Sequence, residues 1–177
     1  MQLLIATIMF LTSGCQTTPK QTDQPSIMTN SRAATQWFRS NVEGLDNQLV
    51  NSAGYACFAD ILQYGIMISG GKFGRGVVYD NNHTQIGWAY INTASAGLQA
   101  GAQGFKMLVV FQDAATLEQF KKNRLTGNVM ATVVAVDTGI SAKAPFTKGV
   151  AVYKGAQAGL MAGVSVGLDY MRFEPIE

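Results

Sequence analysis

Apolar residues recur along residues 31–50 with a helical period. Ala34, Phe38, Val42, Leu45 and Leu49 fall four, four, three and four residues apart and make one stripe. Trp37 sits beside the stripe, Arg32 and Arg39 lie off it, and Gly44 interrupts it at a cost of about 1 kcal/mol relative to alanine. The pattern predicts a helix packed on the core. Trp37 and the two arginines leave open an interfacial membrane helix, against which Glu43 and Asp46 count.

From residue 54 onward the pattern changes to short strand-like runs separated by turns: 55–58, 65–69, 76–79, 85–91, 94–103, 105–111, 129–136, 150–153 and 160–173. Asp80-Asn81-Asn82-His83 reads as a turn, with His83 a solvated member of it. Residues 129–136 are apolar at both alternations, which predicts a central strand covered on both sides. In 160–173 one alternation is apolar while the other carries Gly163, Ser165 and Gly167. That predicts a bare face against which another element packs closely. A second helix is signed by Asp113 as cap, Leu117 and Phe120 toward the core, Lys121, Lys122 and Arg124 in the last turn, and Gly127 as stop.

The N-terminus reads as an address. Residues 3–11 are an apolar run, too short for the roughly 20 residues of a membrane-spanning helix and long enough for the core of a signal peptide. Leu11-Thr12-Ser13-Gly14-Cys15 follows, and it resembles the lipobox of bacterial lipoproteins, with Thr12 where leucine is usual. The expectation is a signal peptide over 1–14, lipid on Cys15, a polar tether over 15–30 and a folded domain over 31–177. Gln16 after the cysteine favours the outer membrane, facing the periplasm, by resemblance to enterobacterial sorting. Cys57, in an apolar setting, reads as a buried inert thiol; a Cys15–Cys57 disulfide is the alternative if no lipid is attached.

Composition narrows the function. The chain has 177 residues, 47% of them hydrophobic and 14% charged, with 19 glycines and 4 prolines. Charged residues make up about a quarter of ordinary domains, so part of this surface is expected to face a membrane, a partner or a ligand. A net charge of +2 is too small for the usual nucleic-acid binder. One histidine leaves little scope for a His-rich metal site or a Ser-His-Asp system. Residues 70–76 are glycine-rich but lack the Gly-Lys-Ser/Thr ending of a phosphate loop and lead into strand, not helix. No catalytic residue, metal or cofactor is expected, and the reading is not an enzyme.

Longer motifs carry a family resemblance. Gly54-Tyr55-Ala56-Cys57-Phe58, Gly70-Gly71-x-x-Gly74-Arg75-Gly76-Val77-Val78-Tyr79 and residues 95–103 (SAGLQAGAQ) are similar to segments of the SYLF domain. So are Leu108-Val109-Val110-Phe111, Gly149-Val150-Ala151-Val152-Tyr153 and residues 159–167, in the family's order. The family's proline after Phe58 and a following lysine are replaced here by Ala59 and Gln63. The resemblance implies a lipid-binding domain. Eukaryotic relatives bind phosphoinositides and some bind actin, whereas bacterial relatives are commonly exported lipoproteins, for which actin is no plausible partner.

The combined expectation is an α+β fold: a strongly bent antiparallel sheet, open to closure as a barrel, with two packed helices. The expected function is a lipid-anchored envelope protein whose domain binds anionic phospholipid through Lys72, Arg75, Lys121, Lys122, Arg124 and Trp37. The alternative is a scaffold protein that binds another envelope protein and uses lipid only as its anchor.

Overall fold

The computed structural model describes residues 19–125, 133–136, 141–163, 166–167 and 170–176. The apolar stripe is buried as the sequence predicts: Ala34, Phe38, Val42, Leu45 and Leu49 are all buried. It runs over two helices, however, α1 (Gln24–Asn41) and α2 (Leu45–Val50). Gly44 does more than weaken one helix. At φ +73° it enters the left-handed region and redirects the chain. The gap is filled from outside, because Glu43 N–H donates to the Ser141 carbonyl at 3.0 Å and Ser141 N–H to the Asn41 carbonyl at 2.8 Å.

α1 also begins earlier than expected. Residues 24–30, read as polar tether, are its first two turns. Pro25 belongs to a helix start, where its missing N–H costs nothing, and Ile27 and Met28 pack against the core.

The six runs between 55 and 111, read as separate short strands, merge into two long ones. β1 (Gly54–Asp80) and β2 (Gln85–Phe111) have 27 residues each and pair antiparallel, with register shifts near Phe58, Met67 and Val78. The predicted turn joins them. Asp80 Oδ1 accepts from the Asn82 and Thr84 N–H groups, and His83 sits exposed at φ +61°. On its other edge β2 is met end to end by β4 (Val150–Gly163), β5 (Val166–Gly167) and β6 (Tyr170–Pro175), all antiparallel. Gly163 pairs with Gln99 and Gly167 with Ser95; the bare face expected over 160–173 falls on positions whose surroundings are outside the described residues.

β3 (Val133–Val136) corrects an expectation. Of the run 129–136 only 133–136 are described; among the described residues this strand ends the path β1-β2-β4-β3, pairing parallel with β4 alone. Its apolar character is used on one side: Val136 is buried under α1, while Ala135 is exposed.

β1 doubles back on itself. A methyl on Gly76 would lie 2.7 Å from the Cys57 carbonyl oxygen, and one on Gly74 would lie 2.8 Å from Ile61 Cγ1. Only glycine lets the two halves of β1 approach so closely. The bend is as strong as expected, but the sheet does not close into a barrel.

Alternation along the strands gives two cores. Tyr55, Cys57, Val77, Tyr79, Leu108 and Val110 face α1 and α2. Ala56, Phe58, Val78, Val109 and Phe111 face the other way, toward Leu117 and Phe120 of α3 (Ala114–Lys121). Asp113 caps α3 as read from the sequence, its Oδ1 accepting from Thr116 N–H at 2.8 Å. The stop is not Gly127, which lies outside the described residues. Asn123, at φ +56°, ends the helix, with Asn123 N–H bonded to the Phe120 carbonyl and Arg124 N–H to that of Gln119.

Candidate membrane-contact site

The cations singled out from the sequence do not form one patch. Of the three cations expected in the last turn of α3 only Lys121 is there, with Lys122 as C-cap and Arg124 just beyond; Leu117 and Phe120 of that helix lie in one core, and Arg75 is on the opposite face of the sheet, beside α1. Lys121 Nζ donates to Glu118 Oε1 at 2.6 Å, which holds the Glu118 carboxyl below its ordinary range. Both side chains are exposed, and such a pair adds little stability. Arg75 Nη1 lies 3.8 Å from Asp23 Oδ2 at the start of α1. Lys72, three residues before Arg75 on a strand, points to the other face.

Trp37 serves packing more than exposure. It is half-buried, its ring meets Phe38 edge-on at 5.1 Å, and it covers Gly155 so closely that a methyl there would come within 2.5 Å of the ring. Cys15 lies outside the described residues. Cys57 is a free, fully buried thiol that desolvation pushes up to about 11, as the inert reading requires. Among the described residues no cluster of His, Cys, Asp and Glu could hold a metal ion, and no helix is long and apolar enough to cross a membrane.

Sequence reasoning missed the most exposed apolar surface among the described residues. At the bend of β1, Ile66, Met67 and Ile68 are 70%, 75% and 69% exposed, and Leu62 and Tyr64 beside them are exposed as well. Met67 stands at φ +55°, and the register with β2 slips between it and Ser69. A positive φ is rare for an unbranched, non-glycine side chain and marks a sharp turn of the strand. Below the bend Tyr64 approaches Gly71, so the two limbs of the strand lie side by side.

A signal for this surface was present in the chain. Residues 61–71, 84–105 and 155–168 contain no Asp, Glu, Lys or Arg. The register brings the three runs together: Ile66 pairs with Ala100, and Ala100 with Ala162. Each run is bounded by a lysine, namely Lys72, Lys106 and Lys154. Lys154 Nζ lies 4.0 Å over the Phe105 ring, a cation held on an aromatic face at that boundary.

Next to the bend, three strands present paired rows. Phe73, Asn92 and Tyr170 lie side by side, and so do Arg75, Tyr90 and Arg172. Phe73, Tyr170, Arg75 and Arg172 are exposed, so aromatic rings alternate with guanidinium groups on this face. Tyr90 is buried between them, and desolvation raises its pKa above the ordinary tyrosine value.

Residues 92–174 match the Ysc84 family, described as Las17-binding protein actin regulator, and this is the SYLF family that the sequence motifs resemble. The matched span runs from within β2 to β6 and holds most of the second charge-free run and all of the third. A comparison with curated proteins gives no match.

Proposed function

We propose that the chain is a lipid-anchored protein of the bacterial envelope whose domain binds a membrane surface, with a preference for anionic lipid, and that it is not an enzyme. The bend of β1 carries this reading. Three large apolar side chains in a row, each about 70% exposed, sit in a surface without charge. Exposed contiguous apolar surface marks an interaction site, and a charge-free tip bounded by lysines matches a bilayer, apolar within and anionic at the rim. Cys15 supplies the anchor, on the outer membrane and facing the periplasm. The bend then needs only modest affinity, because a tethered domain meets its membrane at high effective concentration. The family domain is consistent with lipid binding.

Vesicle flotation tests the reading. The chain from residue 19 onward, which keeps all of α1, is expected to float with phosphatidylglycerol vesicles at low salt. Changing Ile66, Met67 and Ile68 together to serine should reduce flotation without lowering the melting temperature, because these side chains are already in water. If the unchanged domain fails to float, direct membrane binding is wrong.

A second reading keeps the anchor and gives the bend to a protein partner. The family description names binding to a protein, Las17, and the exposed Phe73 and Tyr170 with two arginines are residue types enriched in protein interfaces. Flotation that is absent for the domain but present when an envelope extract is added would favour this second reading.

A further inference from the structure

A cavity of about 390 Å³ opens between the first turns of α1 and the two limbs of β1. Small-molecule sites run from about 300 to 1,000 Å³, so this one suits a compact ligand. Gly74 brings the limbs together there: a methyl on it would lie 2.8 Å from Ile61 Cγ1 and 3.1 Å from the Asp60 carbonyl oxygen. The approach sets Asp60, on one limb, across from Phe73 and Arg75 on the other. Asp60 also stands at a break in the strand. Between Phe58 and Ile61 the register with β2 slips, so that Ala59 and Asp60 together face one residue of β2. Such a bulge turns a side chain out of the strand's regular alternation.

The lining combines both signs of charge with an apolar wall. α1 contributes Asp23, Ile27 and Asn30, and Phe73 adds a ring that is 54% exposed. Among the described residues neither the Asp60 carboxylate nor the Asn30 carboxamide has a hydrogen-bond or ion-pair partner. Arg75 Nη1 stands 3.8 Å from Asp23 Oδ2, near enough to attract and too far for a hydrogen bond. Asp23 Oδ1 accepts from the Thr22 hydroxyl at 3.2 Å, which leaves Oδ2 open. All three charged groups therefore keep bonding capacity. Two carboxylates against one guanidinium leave the lining negative by one unit.

We infer that this cavity binds a basic amino acid, with its carboxylate on Arg75, its side-chain ammonium on Asp60 and its apolar stem along Phe73 and Ile27. A guanidinium fork matches the two oxygens of a carboxylate. An ammonium group carries three donors, which the Asp60 carboxylate and the Asn30 carboxamide oxygen can accept. The Phe73 ring adds a face that attracts a cation. An α-ammonium, where the ligand has one, finds Asp23 beside Arg75, and the ligand's single positive charge then cancels that of the lining. An amino acid without the second ammonium leaves Asp60 unmatched, and a diamine leaves Arg75 unmatched. The ligand is either a free basic amino acid or the same residue at the C-terminus of a peptide, since both keep the carboxylate and the side-chain ammonium. None of the side chains of the exposed bend lines the cavity, so the inference does not rest on the membrane contact proposed above.

The experiment follows the Gly74 amide signal by NMR in the isotope-labelled full chain, held in nonionic detergent. L-lysine is titrated in one arm and Nα-acetyl-lysine, which stands for the end of a peptide, in another. Norleucine, without the second ammonium, and cadaverine, without the carboxylate, are the controls. The expected result is a saturable shift with lysine or its acetyl form and binding several-fold weaker for both controls. Asp60→Asn and Arg75→Gln should each weaken that binding on the order of tenfold, the worth of one charge-assisted hydrogen bond. Both side chains are exposed, so melting temperatures should stay unchanged. Asp60→Asn should also lose the preference over norleucine, and Arg75→Gln the preference over cadaverine. A shift with lysine alone assigns the free amino acid, and one as strong with the acetyl form assigns a peptide end. No saturable shift with either, controls that bind as tightly, or variants that bind like the wild type overturn the inference.

Discussion

Asn123 Oδ1 accepts the backbone N–H of Phe173 at 2.7 Å, and this bond ties the end of α3 to the edge strand β6. The two residues are fifty positions apart in the chain. The same asparagine supplies the left-handed residue that ends the helix. One residue thus terminates α3 and docks it beside Phe173, whose ring meets Phe120 edge-on at 5.8 Å. Asn123→Gly keeps the backbone conformation but loses the side-chain bond, and should cost about 1 kcal/mol in urea denaturation. Asn123→Ala adds the left-handed strain of a Cβ and should cost about 1–2 kcal/mol more. Equal losses for the two variants would show that the backbone conformation contributes nothing.

Gly155 and Trp37 provide a test of what the tryptophan does. A methyl on Gly155 would sit 2.5 Å from Trp37 Cζ3 and 2.9 Å from the Val136 carbonyl oxygen. Gly155→Ala should therefore destabilise by about 1–3 kcal/mol, as overpacked core positions do. Combining it with Trp37→Leu should recover part of that loss, because the ring is one of the two obstacles. The recovered part is the coupling between the two sites. Additive losses would mean that Trp37 moves aside freely, as a residue waiting for a membrane would.

Much of the fold was legible because it follows from periodicity. The stripe from Ala34 to Leu49 and the pair Leu117 and Phe120 were read correctly, since burial of one helix face leaves a repeat in the chain. The break at Gly44 was not legible, because it depends on Ser141, distant in sequence, filling the gap. β1 and β2 were cut into pieces because glycines that allow close approach look like turns when read one at a time. The run 129–136 looked central because apolar character at both alternations does not say whether one neighbour or two lies alongside its described part, 133–136. The bend at Ile66–Ile68 was missed for a related reason. An apolar run on a strand reads as core, and only the register shows that three charge-free runs meet there, beyond the reach of the helices. The cations were visible one by one, but their division between two faces needed the sheet.

Cys57 makes a pH prediction. Burial raises its pKa from 9.0 to about 11, so the folded protein holds the thiol proton after the unfolded chain has released it. Below about pH 9 the thiol is protonated in both states and contributes no slope. As pH rises from about 9 toward 11, the folded state binds more protons than the unfolded one and stability falls. Tyr55, Tyr79, Tyr90 and Tyr153 are also raised by burial from the ordinary value of 10.0, and they share the interval from 9 to 10, so the cysteine's part is the difference between the wild type and a chain without the thiol. Denaturation midpoints measured at half-unit steps should decline more steeply in that interval for the wild type than for Cys57→Ala, and parallel curves would show that the thiol contributes nothing. A thiol reagent at pH 8 should likewise label Cys57 only after denaturant is added.

Salt separates the two surfaces that could hold the domain on a bilayer. The bend acts by burying apolar side chains, which depends little on ionic strength. The end of α3 acts through charge: Lys122 and Arg124 are exposed, and Lys121 is shared with Glu118. Basic residues near an anionic surface contribute about 1 kcal/mol each at low salt, and the effect fades once the screening length falls to about 10 Å. Because Arg75 lies on the opposite face of the sheet from α3, the two sets of cations should not reach one flat bilayer together. Changing Lys121, Lys122 and Arg124 to glutamine should then lower flotation with anionic vesicles at low salt and make no difference at about 0.5 M salt. Changing Ile66, Met67 and Ile68 to serine should lower it at both. A triple glutamine variant that floats like wild type at low salt would remove α3 from the contact and leave the bend with the lysines that bound its charge-free runs. Loss of flotation in high salt for the wild type itself would point the other way, to a contact made by charge alone, in which the exposed bend is free to meet a protein.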